Sequence, residues 1–165
     1  MKEEKIEDSL QDHTLDRVDR RILATLQANG RISNQELAST VHLSPAQCNR
    51  RHRRLERLGF VKRYEARLDA DRLGLGVTAF VHITMERGQF KEVLKFQRTI
   101  DRMPEILECH AVTGDFDYVC KVVASDLKSL SNFLLGTLAQ LPGVNGVRSS
   151  ICLNELKCTS ALPLE

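Results

Sequence analysis

The chain contains no tryptophan, and phenylalanine and tyrosine together make up only 5% of its 165 residues. Its apolar residues are dispersed, and no uninterrupted run approaches the roughly 20 residues that a membrane-spanning helix needs. Residues 1–14 are acidic and polar, unlike a secretory or transit peptide. The sequence therefore predicts no membrane association, and a flexible acidic tail over residues 1–14.

Cysteine occurs five times, an odd number, and its spacing contains neither a C-x-x-C pair nor a histidine-paired metal motif. Four of the five lie in apolar stretches, where a free thiol behaves as a small hydrophobic side chain. This usage argues against a disulfide framework. It favours a protein of the reducing cytoplasm with no metal and no other cofactor.

Catalytic motifs are missing as well. No nucleophile–base pair, metal-ligand spacing or phosphate-binding loop accompanies the candidates for acid–base chemistry, which are His82, His110, Asp115 and Asp117. Because a fold by itself implies no activity, the sequence predicts a protein that is not an enzyme.

Positive charge, by contrast, is concentrated in one segment. Seven of the 24 lysines and arginines lie between Ser44 and Arg63, with Glu56 as the single carboxylate there. The remaining 17 cations are outnumbered by 21 anions, so the rest of the chain has a net charge of −4. Such a basic segment is either a solvated helix face or a surface that binds a polyphosphate such as DNA.

Residues 15–68 show the pattern of three short helices. The apolar residues that share one face of the first helix are Leu15, Val18, Ile22, Leu23 and Leu26. We expect Gly30 to end that helix in the left-handed conformation. Ser33 and Glu36 form a capping box for a second helix, and Ser44-Pro45 begins a third that runs to about Leu58.

The second and third helices, joined by residues 41–43, have the spacing of a helix-turn-helix. The residues of the third helix expected to face the core are Cys48, Leu55 and Leu58. The residues expected on the opposite face, with long side chains suited to a DNA major groove, are Gln47, Arg50, Arg51 and Arg54. Residues 60–68 alternate in polarity, which predicts the strands of a small wing.

A capped partner helix, the turn spacing and the scarcity of carboxylates together favour DNA binding over a merely solvated face. The N-terminus of the third helix can also hold a phosphate through its backbone N–H groups. The predicted DNA-binding residues are Ser33, Asn34, Ser44, Pro45, Gln47, Asn49, Arg50, Arg51, Arg53, Arg54, Lys62 and Arg63.

After a polar, glycine-bearing linker at residues 69–76, the pattern changes to alternating strands and helices. The predicted order is a strand from Val77 to Met85, a helix from Phe90 to about 103, strands at 106–113 and 117–124, a helix at 126–141 and a strand at 147–156. Similar Met-Pro and Leu-Pro motifs recur 38 residues apart, so the two halves resemble one another.

A duplicated strand-helix-strand unit folds as a ferredoxin-like βαββαβ sandwich, in which two helices cover one face of a four-stranded antiparallel sheet. The predicted class is therefore α+β, with a winged helix-turn-helix at 15–68 and the sandwich at 77–165. The second sheet face must be covered or hydrated. Uncharged or apolar groups on both sides of the last strand favour coverage by another subunit over an isolated, wettable sheet.

RNA binding is a competing function for such a sheet, but it relies on exposed aromatic residues of the central strands. Phe80 and Tyr118 are the only aromatic residues within the predicted strands, so RNA binding is disfavoured.

The segment from Thr113 to Tyr118 (TGDFDY) joins two predicted strands. Turns favour glycine and aspartate, so a plain turn accounts for this composition. The alternative is a zwitterion site, in which N–H groups near Gly114 receive a carboxylate and Asp115 or Asp117 faces an ammonium group. The residues alone leave both interpretations open.

Several strings of the chain resemble the leucine-responsive regulatory protein/AsnC (Lrp/AsnC) family of prokaryotic transcriptional regulators. They are LDRVDRRILATLQANGRIS, LSPAQCNRRHRRLERLGFVKRY, VTGDFDYVCKVV, LPGVNGVRSS and TSALPL, and the resemblance covers residues 15–164. It implies a winged helix-turn-helix, at about 34–53 for the motif itself, joined to a ligand-regulated αβ-sandwich.

The resemblance further implies double-stranded DNA as a partner and dimers that assemble into tetramers or octamers. It implies a small amino-acid-like effector bound between dimers, near the loop described above. The implied effector-site residues are Met103, Pro104, Thr113, Gly114, Asp115, Asp117 and Tyr118. These motif residues do not distinguish one effector from another.

Overall fold

The computed structural model describes residues 14–86 and 90–164, except for the side chains at positions 90–92. The predicted acidic tail, apart from Thr14, lies outside the described residues. The described chain divides into two compact units, residues 14–67 with 157–164 and residues 68–156. Each unit has its own cluster of buried apolar side chains.

Three helices build the first unit, as the sequence predicts. They are α1 (Arg17–Ala28), α2 (Asn34–Val41) and α3 (Pro45–Arg57). Asp16, Ser33 and Ser44 each begin a helix by accepting a hydrogen bond from the N–H three residues on, which satisfies a donor that has no partner within the helix. The side chains of Ile22 and Leu55 are fully buried between the helices.

The turn between α2 and α3 depends on His42, the one described non-glycine residue with a positive φ, at 58°. Its left-handed backbone lets the Leu43 N–H donate to the Ala38 carbonyl at 2.9 Å, which closes the end of α2. The Asn34 side-chain amide donates to the Pro45 carbonyl at 3.0 Å. The starts of the two helices are therefore held together.

Two local predictions in this unit are wrong. Gly30 is not left-handed; α1 ends at Ala28, the backbone of the following Asn29 is extended, and a Cβ on Gly30 would lie 3.2 Å from Cδ1 of Tyr64. Residues 60–68 contain no strand, so the predicted wing strands do not form in this described segment. Its contacts with α3 are made by side chains: the Tyr64 hydroxyl donates to Oε1 of Glu56 at 3.1 Å.

The C-terminal segment belongs to the first unit, whereas the sequence placed it in the sandwich. The Gln27 amide donates to the Leu162 carbonyl at 3.0 Å and accepts from the Leu162 N–H at 2.6 Å. Arg67 donates to the Cys158 carbonyl at 3.1 Å, and Leu164 packs against the helical core. These pairings are long-range in sequence, which is why local patterns did not indicate them.

The second unit has the predicted βαββαβ order. Its elements are β1 (Val77–Met85), α4 (Phe90–Ile100), β2 (Ile106–Ala111), β3 (Tyr118–Ala124), α5 (Leu127–Gly136) and β4 (Val144–Ile151). The strands form one antiparallel sheet in the order β2-β3-β1-β4. The last strand begins three residues earlier than predicted and ends five residues earlier.

Alternation along the strands separates the two faces of this sheet. Val81 and Cys120 face each other across β1 and β3 and are fully buried with the helices. On the other face Phe80 stands opposite Lys121, and its side chain is 43% exposed. In the described part of the chain, no helix is long and apolar enough to cross a membrane.

Candidate DNA-binding surface and effector loop

The exposed side of α3 is a row of arginines. Arg50, Arg53 and Arg57 are spaced i, i+3 and i+7 and are solvent-exposed, on the side opposite the buried residues Cys48 and Leu55. Among the residues that the structure describes, none of these three arginines has a carboxylate within 4.0 Å. We call Arg50, Arg53 and Arg57 the arginine stripe. The positive charge of the stripe is therefore available to bind an anionic partner.

Arg51 and Arg54 face α1 instead, so their predicted place on the exposed side of α3 is wrong. Nη1 of Arg51 donates to Oδ2 of Asp16 at 2.6 Å and to Oδ1 of Asp19 at 2.8 Å. Nη1 of Arg54 donates to Oδ2 of Asp19 at 3.2 Å. Since the Asp19 side chain is only 2% exposed, these two arginines supply the charge that a buried carboxylate requires. We call these four residues the Asp–Arg clamp.

Electrostatics within the clamp agree with this geometry. Burial raises the pKa of Asp16, but hydrogen bonds from the Asp19 N–H and from Arg51 outweigh burial and hold it below 3.8. Hydrogen bonds to Asp19 and Asp16 raise the pKa of Arg51. Both carboxylates also lie at the N-terminus of α1, where the helix dipole favours negative charge. The clamp therefore holds α3 against α1 through charge-assisted hydrogen bonds.

Arg57 belongs to the stripe but is missing from the predicted set. The signal was present, because Arg57 lies seven residues after Arg50 and so shares its helix face.

The other predicted residues at the start of α3 lie near one another. Pro45 and Gln47 are exposed and Asn49 is half-buried, while the Ser44 hydroxyl donates to Oε1 of Gln47 at 3.1 Å.

The predicted residues of α2 have structural partners. The Ser33 hydroxyl donates to Oε2 of Glu36 at 2.7 Å, and Asn34 is bound to the start of α3 as described above. Beyond α3, Lys62 is exposed, whereas Nε of Arg63 lies 2.6 Å from Oε2 of Glu65.

Behind the stripe, the segment that follows α3 is tied to it by polar contacts. Nε2 of His52 lies 2.7 Å from the Tyr64 hydroxyl, which also contacts Glu56. Burial and the Glu56 carboxylate raise the pKa of Tyr64 to about 12. Glu56 therefore binds a tyrosine and leaves the arginine stripe unneutralised.

In the second unit, the predicted effector loop joins β2 to β3. Gly114 has φ of +117°, a conformation that side chains disfavour. Oδ2 of Asp117 accepts a hydrogen bond from the Met85 N–H at 2.7 Å, and the Asp117 N–H donates to the Ile83 carbonyl at 2.9 Å. Asp117 therefore anchors the loop to β1, a role that the sequence did not indicate.

Residues in the loop and directly after it line two different cavities. Asp115 contributes to a cavity of about 470 Å³ on the sheet face away from the helices. The residues lining this cavity are His82, Thr84, Asp115, Phe116, Gly146, Val147 and Arg148. The guanidinium carbon of Arg148 lies 5.8 Å from the centre of the Phe116 ring. This cavity thus combines a carboxylate with a guanidinium group, and of its lining residues only Asp115 belongs to the predicted effector site.

Tyr118 is buried on the helix side and lines a different cavity of about 350 Å³, with its ring centre 4.9 Å from that of Phe96. Met103 and Pro104 precede β2, whereas the loop follows it. A six-residue strand spans roughly 20 Å. Within one chain, the structure therefore does not bring Met103 and Pro104 together with Gly114 and Asp115.

Comparison with known proteins identifies both units. The winged helix-turn-helix DNA-binding family matches residues 15–62, and the Lrp/AsnC ligand binding domain family matches residues 78–162. Leucine-responsive regulatory proteins of Escherichia coli and Salmonella typhimurium are 43% identical to the chain over 151 residues. The match spans 92% of this chain and 92% of theirs.

Solved structures agree. A transcriptional regulator from Neisseria meningitidis in complex with L-Met has a TM-score of 0.89 and 39% identity, covering 92% of this chain and 97% of its own. An AsnC family regulator from Agrobacterium tumefaciens has a TM-score of 0.86 and 31% identity, covering 91% and 97%. The matching families describe a regulator and not an enzyme, as predicted. The chain belongs to the Lrp/AsnC family of DNA-binding transcriptional regulators with an amino-acid ligand-binding domain.

Proposed function

We propose that the arginine stripe of α3 is the DNA-reading surface of this regulator, and that a small amino acid bound beside the loop at 113–117 controls its assembly. The observation that carries the first part is the contrast between the free stripe and the clamped Arg51 and Arg54. A guanidinium group already bound to a buried carboxylate has less to gain from a phosphate than a free one.

The start of α3 provides the remaining contacts. Gln47 and Asn49 present amides, which pair with adenine edges in the major groove, while arginines pair with guanine or with phosphates. Ser44 and the N-terminal N–H groups of α3 suit a phosphate. Lys62 extends the basic surface toward the flanking backbone of the duplex.

Sequence selection from random duplexes tests this proposal, followed by measurement of affinity for the selected site and a scrambled one. We expect an operator with approximate two-fold symmetry, because a symmetric dimer presents two copies of α3. Equal affinity for both duplexes at physiological salt would contradict sequence-specific reading.

For the effector, we propose the cavity that contains Asp115 and Arg148. An α-amino acid carries a carboxylate and an ammonium group, and this cavity offers a guanidinium group for the first and a carboxylate for the second. Because Gly114 has no side chain, it leaves the neighbouring backbone accessible to a ligand. Asp117 contributes by holding the loop through the Met85 N–H, and we assign it no direct contact.

Light scattering and calorimetry with each amino acid in turn test the effector proposal, with L-Met as the first probe because a relative was solved with it. We expect Arg148→Gln to abolish the response to the active amino acid, whereas Lys128→Gln, on α5, leaves it unchanged. A normal response in Arg148→Gln would remove this cavity from consideration.

We also propose that the uncovered sheet face pairs with a second copy of the chain in the cytoplasm, where the DNA is. Phe80 on this face is 43% exposed and is flanked by half-buried Val119 and Lys121. Exposed leucines on the helices, including Leu127 and Leu135 of α5, offer further contacts for tetramers or octamers.

A further inference from the structure

Two cysteines face each other on neighbouring strands of the sandwich. Cys109 of β2 and Cys120 of β3 are direct partners in the antiparallel register. The Cys120 thiol donates to Sγ of Cys109, and the two sulfur atoms are 3.2 Å apart. Both are free thiols in the structure.

Their place in the ladder suits a covalent link. The Val112 N–H donates to the Asp117 carbonyl, which makes 112 and 117 a hydrogen-bonded pair. Because hydrogen-bonded and non-hydrogen-bonded pairs alternate, Cys109 and Cys120 form a non-hydrogen-bonded pair, with a Cα separation of about 4.5 Å. Disulfides occur at Cα separations of about 4.4–6.8 Å, so the bond requires little backbone movement.

Access and reactivity differ between the two sulfurs. Cys109 is half-buried and lines the open cavity of about 350 Å³ next to α4, whereas Cys120 is fully buried. The hydrogen bond from Cys120 lowers the pKa of Cys109 to about 7, against an opposing effect of burial, and the charge of His110 adds to the lowering. The same pairing raises the pKa of Cys120. Cys109 is thus the accessible and more acidic thiol, and Cys120 is the resolving thiol buried behind it.

We propose that Cys109 and Cys120 are a peroxide-oxidised thiol pair that forms a reversible disulfide between β2 and β3. The Cys109 thiolate attacks one oxygen of hydrogen peroxide; an S–O bond forms, the O–O bond breaks, and the departing hydroxide takes up a proton to become water. Sγ of Cys120 then attacks the sulfenic sulfur. The S–S bond forms, the S–O bond breaks, and the hydroxyl leaves as a second water with the Cys120 proton. Two thiols are oxidised and one peroxide is reduced to two waters.

The link would close a ring over residues 109–120, which contains the loop at 113–117. Oxidation therefore restrains the loop beside the proposed effector cavity. This consequence rests on the proposed effector site, whereas formation of the disulfide does not depend on it.

The wild-type chain allows a direct test, because trypsin leaves both cysteines in one peptide, residues 103–121. The native protein is treated with hydrogen peroxide, its remaining thiols are alkylated, and the masses of the digested peptides are measured. We expect the mass of this peptide to correspond to the loss of two hydrogens, with no alkyl group added. After reduction with dithiothreitol and a second alkylation, we expect it to carry two alkyl groups. Exposed Cys158, in a separate peptide, reports the oxidant dose.

Cys109→Ala and Cys120→Ala separate the two steps. In Cys120→Ala we expect Cys109 to be oxidised more slowly, because it loses the hydrogen bond that lowers its pKa, and to stop at the sulfenic acid, which dimedone traps. In Cys109→Ala we expect Cys120 to stay reduced. The proposal is overturned if peptide 103–121 keeps both thiols at a dose that oxidises Cys158. It is equally overturned if Cys109 proceeds to sulfinic acid in the wild type without any link.

Effector binding is measured on the same oxidised sample. A change in the amino-acid response on oxidation, absent in Cys109→Ala, supports the connection between ring and loop. A disulfide without such a change would keep the thiol pair and reject only its connection to the effector site.

Discussion

Asp19 has the most demanding environment of the described charged residues. Its carboxylate is almost completely buried, and Arg51 and Arg54 provide its side-chain partners. Breaking a buried ion pair by removing one partner leaves a charge without compensation, which costs more than the pair contributes. The stability of the first unit therefore depends on residues that look, in sequence, like part of a DNA-binding run.

Arg51→Ala is expected to lower the free energy of unfolding of the first unit by about 2–3 kcal/mol, since Arg54 still compensates part of the Asp19 charge. Arg53→Ala is the matched control two residues away, and as an exposed substitution it should change stability by less than about 0.5 kcal/mol. Urea unfolding monitored by circular dichroism measures both. Equal effects of the two substitutions would contradict the clamp.

The clamp also predicts a dependence on pH. The pKa of Asp16 is lower in the folded chain than its usual value of 3.8, so its ionised form stabilises the fold above that value and this contribution is lost as pH falls through the folded pKa. The melting temperature of the wild type should therefore exceed that of Asp16→Asn at pH 7. The gap should narrow below about pH 4. A gap that stays constant down to pH 2 would show that the Asp16 charge does not contribute.

At the scale of elements, the strained position is the turn of the helix-turn-helix. His42 adopts the left-handed conformation, which costs a side chain roughly 1–2 kcal/mol relative to glycine. Glycine is also more flexible in the unfolded chain, which offsets part of the gain.

We expect His42→Gly to stabilise the first unit by about 0.5–1 kcal/mol, and His42→Ala, which keeps a Cβ atom, to give no gain. Thermal unfolding of the two variants alongside the wild type decides this. Destabilisation by His42→Gly would mean that the imidazole makes a contribution larger than the backbone strain.

The elements themselves were predictable because their signals are local. Ser33 with Glu36, and Ser44 with Pro45, mark helix starts that the structure confirms. The direction of the arginines was not predictable, since Arg51 finds its partners Asp16 and Asp19 more than 30 residues away. A helical pattern specifies which side chains share a face and not which neighbour occupies it.

The prediction of strands in the segment after α3 failed for a related reason. Its alternating residues suggested strands, but Tyr64 packs on Gly30 and donates to Glu56, so side-chain contacts replace a ladder. In the sandwich, period-two alternation located all four strands. The cavity beside Asp115 escaped prediction because Arg148 reaches it from β4, a different part of the chain.

At the scale of the whole molecule, the proposed assembly uses the sheet face that the helices leave uncovered. Phe80 lies on this face between its cross-strand partners Ser150 of β4 and Lys121 of β3. Two residues further along β1, His82 faces Arg148 of β4. An exposed aromatic on a sheet is a strong contributor to an interface when a partner buries it.

Phe80→Glu is expected to shift the purified chain from dimer or larger assemblies toward monomer, because the new charge would be buried at the interface. Leu153→Glu is a suitable control, since Leu153 is 97% exposed and lies beyond the end of β4. Sedimentation velocity measures the distribution. An unchanged distribution in Phe80→Glu would place the interface elsewhere.

Because α3 divides its arginines between the free stripe and the clamp, the salt dependence of operator binding tests their separate roles directly. For each phosphate that a variant no longer neutralises, the slope of log affinity against log salt should fall by about 0.9. Arg53→Ala is expected to give a shallower slope. Arg51→Ala is expected to leave the slope unchanged, measured well below its melting temperature. A slope reduced by Arg51→Ala and untouched by Arg53→Ala would rule out the division of α3 into stripe and clamp.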